Sequence, residues 1–352
     1  MSNTTYRAFT EHLGNTPADG FVAKEGELFW DPADNSLRIG NGEAGGAVVS
    51  GGSYSGTGIN SIAIGSNAGA SQQPDAIAIG HNAGNNNQEH MAIAIGRSAG
   101  ENDQGWNAIA LGRFSGANQQ QDETVAIGRY SAYTNQRYHS IAIGAEAGYQ
   151  NQYWGAIAIG RSAGYEGQDY QTVAIGHRAG QTNQQQRSVA IGTYAGRTEQ
   201  QQHAVAIGAF AGKDSQQIAA VAIGEQAGQI NQQFRGIAIG RLAGYDTQGQ
   251  QSVAIGALAG YDTQGGYAVA IGRHAGQYNQ GANAIAIGNN AADTSQNANS
   301  IVINASGSSV QSAGEGTTVI QSLRQVTGNT IPADFYQVAW NPTTGELIVV
   351  TA

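Results

Sequence analysis

Apolar residues arrive along this chain in short bursts on a fixed schedule. Ile62-Ala63-Ile64 is followed by Ile77-Ala78-Ile79 and Ile93-Ala94-Ile95, and the series runs on to Ile285-Ala286-Ile287. A glycine closes every burst, at Gly65, Gly80, Gly96 and then every sixteen residues to Gly288; only the first step is shorter, at fifteen. Fifteen units result, and Ile301 to Asn304 form a degenerate last one. With the glycine as position zero, −1 is isoleucine except at Leu111, −3 is isoleucine or valine, and −2 is alanine up to Ala286. Positions +3 and +4 are usually Ala-Gly, and +8 is glutamine in all fifteen units, from Gln73 and Gln88 to Gln296.

Branched residues alternating about an alanine predict a strand, because successive side chains of a strand point to opposite faces. The glycine that follows predicts a corner. A second short strand through the +3 alanine and a polar return then complete the unit. So short a unit cannot bury its apolar side chains alone, so units must stack. The expected fold is all-β: a parallel β-solenoid, or β-roll, of about fifteen 16-residue coils, roughly 70 Å long at about 4.8 Å per stacked strand. Two aliphatic side chains and one alanine per coil make a thin core. Restriction of −2 to alanine points to another backbone packed closely against it. Identical chains side by side, most simply about a threefold axis, would supply that backbone. Alternation alone leaves open which face points into the coil.

Composition narrows the picture. Of 352 residues 52 are glycine, seven are phenylalanine and 12% are charged, which does not suit one large globular core. Aliphatic residues recurring in register do not suit disorder. The absence of cysteine excludes disulfides and thiolate metal sites. The opening MSNTTYRAFTEH lacks an apolar signal core and no run of eighteen apolar residues occurs, so neither Sec export nor membrane insertion is expected. A net charge of −9 with scattered arginines argues against nucleic acid as a partner.

For chemistry, the fixed glutamines are the first candidates. Gln104, Gln120, Gln136, Gln152, Gln168 and Gln184 are read as a structural ladder, each amide bonding to its neighbours above and below. Catalysis needs one constellation, not fifteen copies. The seven histidines sit at several different positions and make no metal-binding pair, and Asp246 and Asp262 stack as a weak cation site at most. No nucleophile elbow, phosphate loop or paired-carboxylate motif occurs, and GGSYSGTG at 51–58 reads as a linker. No catalytic residue, cofactor or metal is expected. Aromatic residues recur at +5 (Tyr133, Tyr149, Tyr165) and at +10 (Trp106, Tyr138, Trp154, Tyr170), as a stripe that suits stacking against sugar rings. The competing reading is that they fill grooves between chains or brace the loop.

The units SIAIGSNAGA, SVAIGTYAGR and AVAIGAFAGK resemble the head repeats of trimeric bacterial adhesins, which implies a left-handed, homotrimeric β-roll. Similar arrays resemble those of bacteriophage and large-virus fibre proteins. The likeness spans residues 61–304; the sixteen-residue period and the fixed glutamine depart from the bacterial unit of about fourteen. Residues 26–46, GELFWDPADNSLRIGNGEAGG, resemble the amino-terminal module of phage tail fibres, with Asn41 where that family usually has aspartate. Read from the residues, this is a hairpin with Leu28/Trp30 and Leu37/Ile39 alternating across a turn. WNPTTGELIVV near the carboxyl end resembles the closing hairpin of viral fibres.

These readings divide the chain into a hairpin module (1–50), a Gly/Ser linker (51–60), the solenoid shaft (61–304) and a hairpin-bearing cap (305–352). A bacterial surface adhesin would need an export signal and an anchor, and the sequence shows neither. The expectation is therefore a structural fibre of a tailed phage virion, made in the host cytoplasm. It would partner itself, other tail or baseplate proteins and host-surface glycan. Rival readings are a capsid or neck fibre without a specific receptor, and a glycan depolymerase.

Overall fold

The computed structural model describes residues 58–321, together with the strand segments 28–31, 36–39, 47–48, 337–340 and 347–350. Between Ile62–Ile64 and Thr318–Gln321 the triplets form seventeen parallel strands paired in chain order, which bound sixteen turns of an all-β solenoid. No helix occurs among the described residues. Each strand pairs with its counterpart one coil on and in register: Ile157 opposite Val173, Ala158 opposite Ala174, Ile159 opposite Ile175. A second row of strands, ending on the fixed glutamine, backs onto the first. It runs as a seven-stranded sheet from Asn86–Gln88 to Thr182–Gln184 and resumes as three strands from Asp246–Gln248 to Tyr278–Gln280. Single bridges through Thr198, Asp214 and Ile230 join the two stretches. The sheet also runs one strand past the repeat: Thr318–Gln321 pairs with Ile301–Asn304 at an offset of seventeen, where the glycine and glutamine pattern has lapsed.

The orientation of the strands reverses the reading of aliphatic core and alanine contact surface. Alanine at −2 is the residue that points inward, and Ala110, Ala126, Ala142, Ala158 and Ala174 are fully buried. The +3 alanines (Ala99, Ala147, Ala163, Ala179) face them, also fully buried. Isoleucine and valine at −3 and −1 stand outward, half-buried to exposed. The cause is width: two strands lying back to back in one coil leave room for methyl groups and one amide, and a branched four-carbon side chain does not fit. What restricts −2 to alanine is therefore the chain's own opposite strand rather than a neighbouring chain.

Position zero must be glycine for two reasons. Gly176 has φ +127°, a region closed to side chains, and a Cβ built there would lie 2.7 Å from the carbonyl oxygen of Gly192 in the next coil. Where −4, just before the strand, is serine or threonine, its hydroxyl ties the turn: Thr124 Oγ1 donates to the Gln121 carbonyl at 2.7 Å and Ser140 Oγ to the Arg137 carbonyl at 2.6 Å.

Both sequence-read hairpins form. Leu28–Asp31 pairs antiparallel with Ser36–Ile39, which also pairs with Ala47–Val48, and Gln337–Trp340 pairs antiparallel with Leu347–Val350. Most of the 51–60 linker and of the segment joining the shaft to the second hairpin lie outside the described residues.

Substituting Gly176→Ala is expected to lower stability by about 3 kcal/mol or more, combining a strained φ with the carbonyl clash. Arg161→Ser, on the exposed +1 position one coil earlier, is expected to stay within about 0.5 kcal/mol. Paired thermal unfolding of the two variants checks this; equal midpoints would contradict the corner geometry.

Candidate functional site

Inside the coil, the +8 glutamine is the only large side chain. Gln152 Nε2 donates to the Ile141 carbonyl of its own coil at 2.8 Å, to the Ala156 carbonyl at 3.1 Å and to Gln168 Oε1 of the next coil at 3.1 Å. Gln168 in turn donates to Gln184 at 3.3 Å, and Gln104 donates to Gln120 at 3.2 Å. All six of the glutamines Gln104 to Gln184 are buried, with 0–1% of their surface exposed. The amides run as one line from Gln136 to Gln296, interrupted from Gln120, and Gln136 Oε1 is left buried without a partner. The break falls where Ala132 replaces the +4 glycine. At Gly164, by comparison, a Cβ would sit 2.7 Å from Gln168 Oε1. The same replacement at Ala292 leaves the Gln280–Gln296 bond intact at 3.0 Å, so the methyl alone does not decide it.

In the first coil the ladder position belongs to Gln72, which is 2% exposed, whereas Gln73 faces out. The missing residue of the fifteen-residue step lies between Gly69 and Gln72, so counting forward from Gly65 lands one place late. Counting back eight from Gly80 lands on Gln72, as it lands on Gln88 from Gly96.

The aromatic residues separate into two sets. At the first corner Tyr133, Tyr149 and Tyr165 stack one above another, with ring centroids 5.2 and 4.8 Å apart and planes within 12°. They are half-buried and lie beside a second short stack, Phe114 on Tyr130 at 5.1 Å. Arg113 lies over both rings of that pair, 5.6 and 5.3 Å from their centroids. Burial, and then the neighbouring phenols, push the Tyr149 pKa up. This corner is braced, with few ring faces free. At the opposite corner Trp106, Tyr138, Trp154 and Tyr170 are exposed and do not stack on one another. Instead His139 meets the edge of Trp154 at 6.1 Å, and Tyr170 leans on Tyr153 at 5.5 Å and 42°. The single stripe expected from the sequence is two surfaces of different character.

Two clefts open along the second corner. One, about 560 Å³, lies among Glu89, His90, Met91, Trp106 and Asp122. Its carboxylate Asp122 accepts from the Trp106 backbone N–H at 3.0 Å. The other, also about 560 Å³, is walled by Tyr153, Tyr170, Asp169, Asn183, Glu199 and Gln201. No group of three or more potential metal ligands occurs among the described residues, and Asp246 and Asp262 each accept from the adjacent threonine hydroxyl at 3.0 Å.

On the first corner Arg161 Nη2 lies 2.8 Å from His177 Nε2. A guanidinium only donates, so Nε2 is an acceptor and the ring is neutral with its proton on Nδ1. Burial, and then the charges of Arg161 and Arg178, hold the His177 pKa below its ordinary 6.5.

The YadA head domain repeat matches residues 57–83 in two copies. That stretch holds the one fifteen-residue coil, the part of the chain closest to the shorter adhesin unit. The chain is thus similar to trimeric adhesin heads in its repeat, and the match points to an adhesin-like attachment role. No curated protein and no solved structure matches the chain. No helix among the described residues is long and apolar enough to cross a membrane.

Gln168→Leu is expected to cost about 2–4 kcal/mol, since it strips the Ile157 carbonyl and Gln152 Nε2 of a buried partner. Denaturant unfolding checks this; a neutral change would show the ladder to be incidental. The His177 ring is expected to titrate below 6.5 by NMR. Because the folded state resists protonation there, its contribution to stability is flat above 6.5 and falls as the pH drops through 6.5 toward the folded value.

Proposed function

We propose that the protein is a homotrimeric attachment fibre whose three shafts pack by their aliphatic faces. The observation that carries this reading is the outward row of isoleucine and valine. Two such side chains per coil stand in register over sixteen turns, with Ile64, Leu111, Ile207, Ile223 and Ile287 at 36–41% exposure. A soluble monomer rarely keeps an apolar patch larger than a few hundred Å² in water. The row is continuous and aliphatic throughout, so a second copy in the same register is its natural complement. The likeness to trimeric adhesin heads supports three copies. The second sheet, rich in asparagine and glutamine, then faces outward.

Within that class the finer reading is a tail fibre of a tailed phage, located on the virion and without catalytic activity. Its support is the pair of terminal hairpins and their likeness to phage-fibre modules. Residues 1–50 would attach the fibre to tail or baseplate proteins, and residues 305–352 would close the shaft.

Sedimentation of the purified chain is expected to give three times its own mass. Ile159→Asp with Ile175→Asp on the aliphatic face should abolish that species, whereas Asn151→Asp on the second sheet should leave it intact. A monomeric wild type would overturn the trimer. Virions labelled with an antibody to this chain should carry label at the tail; label on the capsid would replace the tail-fibre reading with a capsid fibre.

A further inference from the structure

We propose that the cleft walled by Tyr153 and Tyr170 is a saccharide-binding subsite for neutral or amino-bearing hexose units; the proposal rests on the attachment reading above. Its origin is one exception in the repeat. Position +7 projects outward from the second sheet and carries a side chain in every other sixteen-residue coil, as at Asn135, Asn151, Asn183 and Glu199. In the coil between Asn151 and Asn183 it is Gly167, so one side chain is missing from the row and the floor of a cleft of about 560 Å³ is exposed. That volume lies within the roughly 300–1,000 Å³ usual for small-molecule sites.

The walls have the chemistry of sugar recognition. Tyr153 and Tyr170 are 39% and 46% exposed and tilt 42° to each other at 5.5 Å, so both keep ring surface toward the opening. Aromatic faces pack against the C–H face of a pyranose, and their hydroxyls add a polar handle. Across the notch stand the amides of Asn183 and Gln201, donors and acceptors suited to vicinal hydroxyls. Asp169 is held in place by accepting the Tyr170 backbone N–H at 2.7 Å, and Glu199 supplies a second carboxylate. Carboxylates accept strongly from sugar hydroxyls and favour an ammonium. No arginine or lysine lines the cleft, so a glycan acid would meet like charge without compensation. The cleft opens from the second sheet, on the side away from the aliphatic face, and stays accessible when three chains pack by that face.

The test uses the full chain in its native assembly, titrated with three tetrasaccharides: glucosamine, N-acetylglucosamine and galacturonate. Tyrosine fluorescence and calorimetry give the affinity. One or both of the first two should bind and the galacturonate should not. Gly167→Asn restores the side chain carried elsewhere in the row; the position has φ +71°, which asparagine adopts, so the variant should fold normally. It should lower affinity at least tenfold, as should Tyr170→Ala, whereas Tyr165→Ala on the braced corner should not. Binding of the galacturonate in preference, affinity unchanged in both cleft variants, or no binding of any tetrasaccharide would overturn the proposal. A bacterial-cell binding assay on wild type and Gly167→Asn separates the two readings. Equal cell binding leaves attachment standing and removes the cleft, and no cell binding by wild type removes attachment itself.

Discussion

Everything in this molecule depends on a side-chain amide held inside a coil too narrow for anything else of its size. Two strands and two corners enclose a space filled by the methyl groups of the −2 and +3 alanines. The one large polar side chain admitted, glutamine at +8, bonds to a carbonyl of its own coil, a carbonyl of the next turn and the amide one coil on. Buried polar groups are costly unless satisfied, and these are satisfied only when the neighbouring coil is present and in register. The amide therefore contributes little to a single coil and much to a stack. The glycine at +4, whose Cβ would strike the amide oxygen, belongs to the same constraint.

From that constraint follows the inversion of the usual pattern. With the interior occupied, the branched residues have nowhere to go but out. The strand that reads as most hydrophobic is thus one whose large side chains face away from the interior of the coil. The remaining surfaces divide by corner. The first carries stacked tyrosines and arginine-capped rings whose faces are already used. The second carries rings left open beside carboxylates, and both clefts lie along it. Adhesion by such a fibre would concern the second corner, with the first keeping the turns in line.

Much of this was legible in the sequence. The period, the corner glycine, the parallel stacking and both hairpins follow from spacing alone, because a strict repeat leaves few ways to fold. The sign of the strand was not legible. Alternation says that Ala158 and Ile159 face opposite ways without saying which way is in, and that is settled by a width no single unit reveals. Counting forward from Gly65 lands on Gln73 rather than Gln72, because a deletion shifts any count that crosses it. Positions +5 and +10 read as one stripe along the sequence because they are close in number; in the coil they lie at opposite corners. The Tyr153–Tyr170 cleft did leave a trace: Gly167 in EGQ breaks a row of polar side chains, and only comparison of one coil with the rest brings it out.

Because every coil makes its bonds to the coil before and the coil after, and those two present the same groups, no coil is indispensable to its neighbours' geometry. Removing one would bring glycine against glycine, alanine against alanine and amide against amide, as before. Reach is therefore a quantity this architecture can change in steps of about 4.8 Å, lengthening or shortening by whole coils with the same internal bonding. The cleft at Gly167 would ride along at whatever height the coils beneath it set. An ordinary globular fold ties size to shape; here the distance between an anchor and what it grips is free to vary.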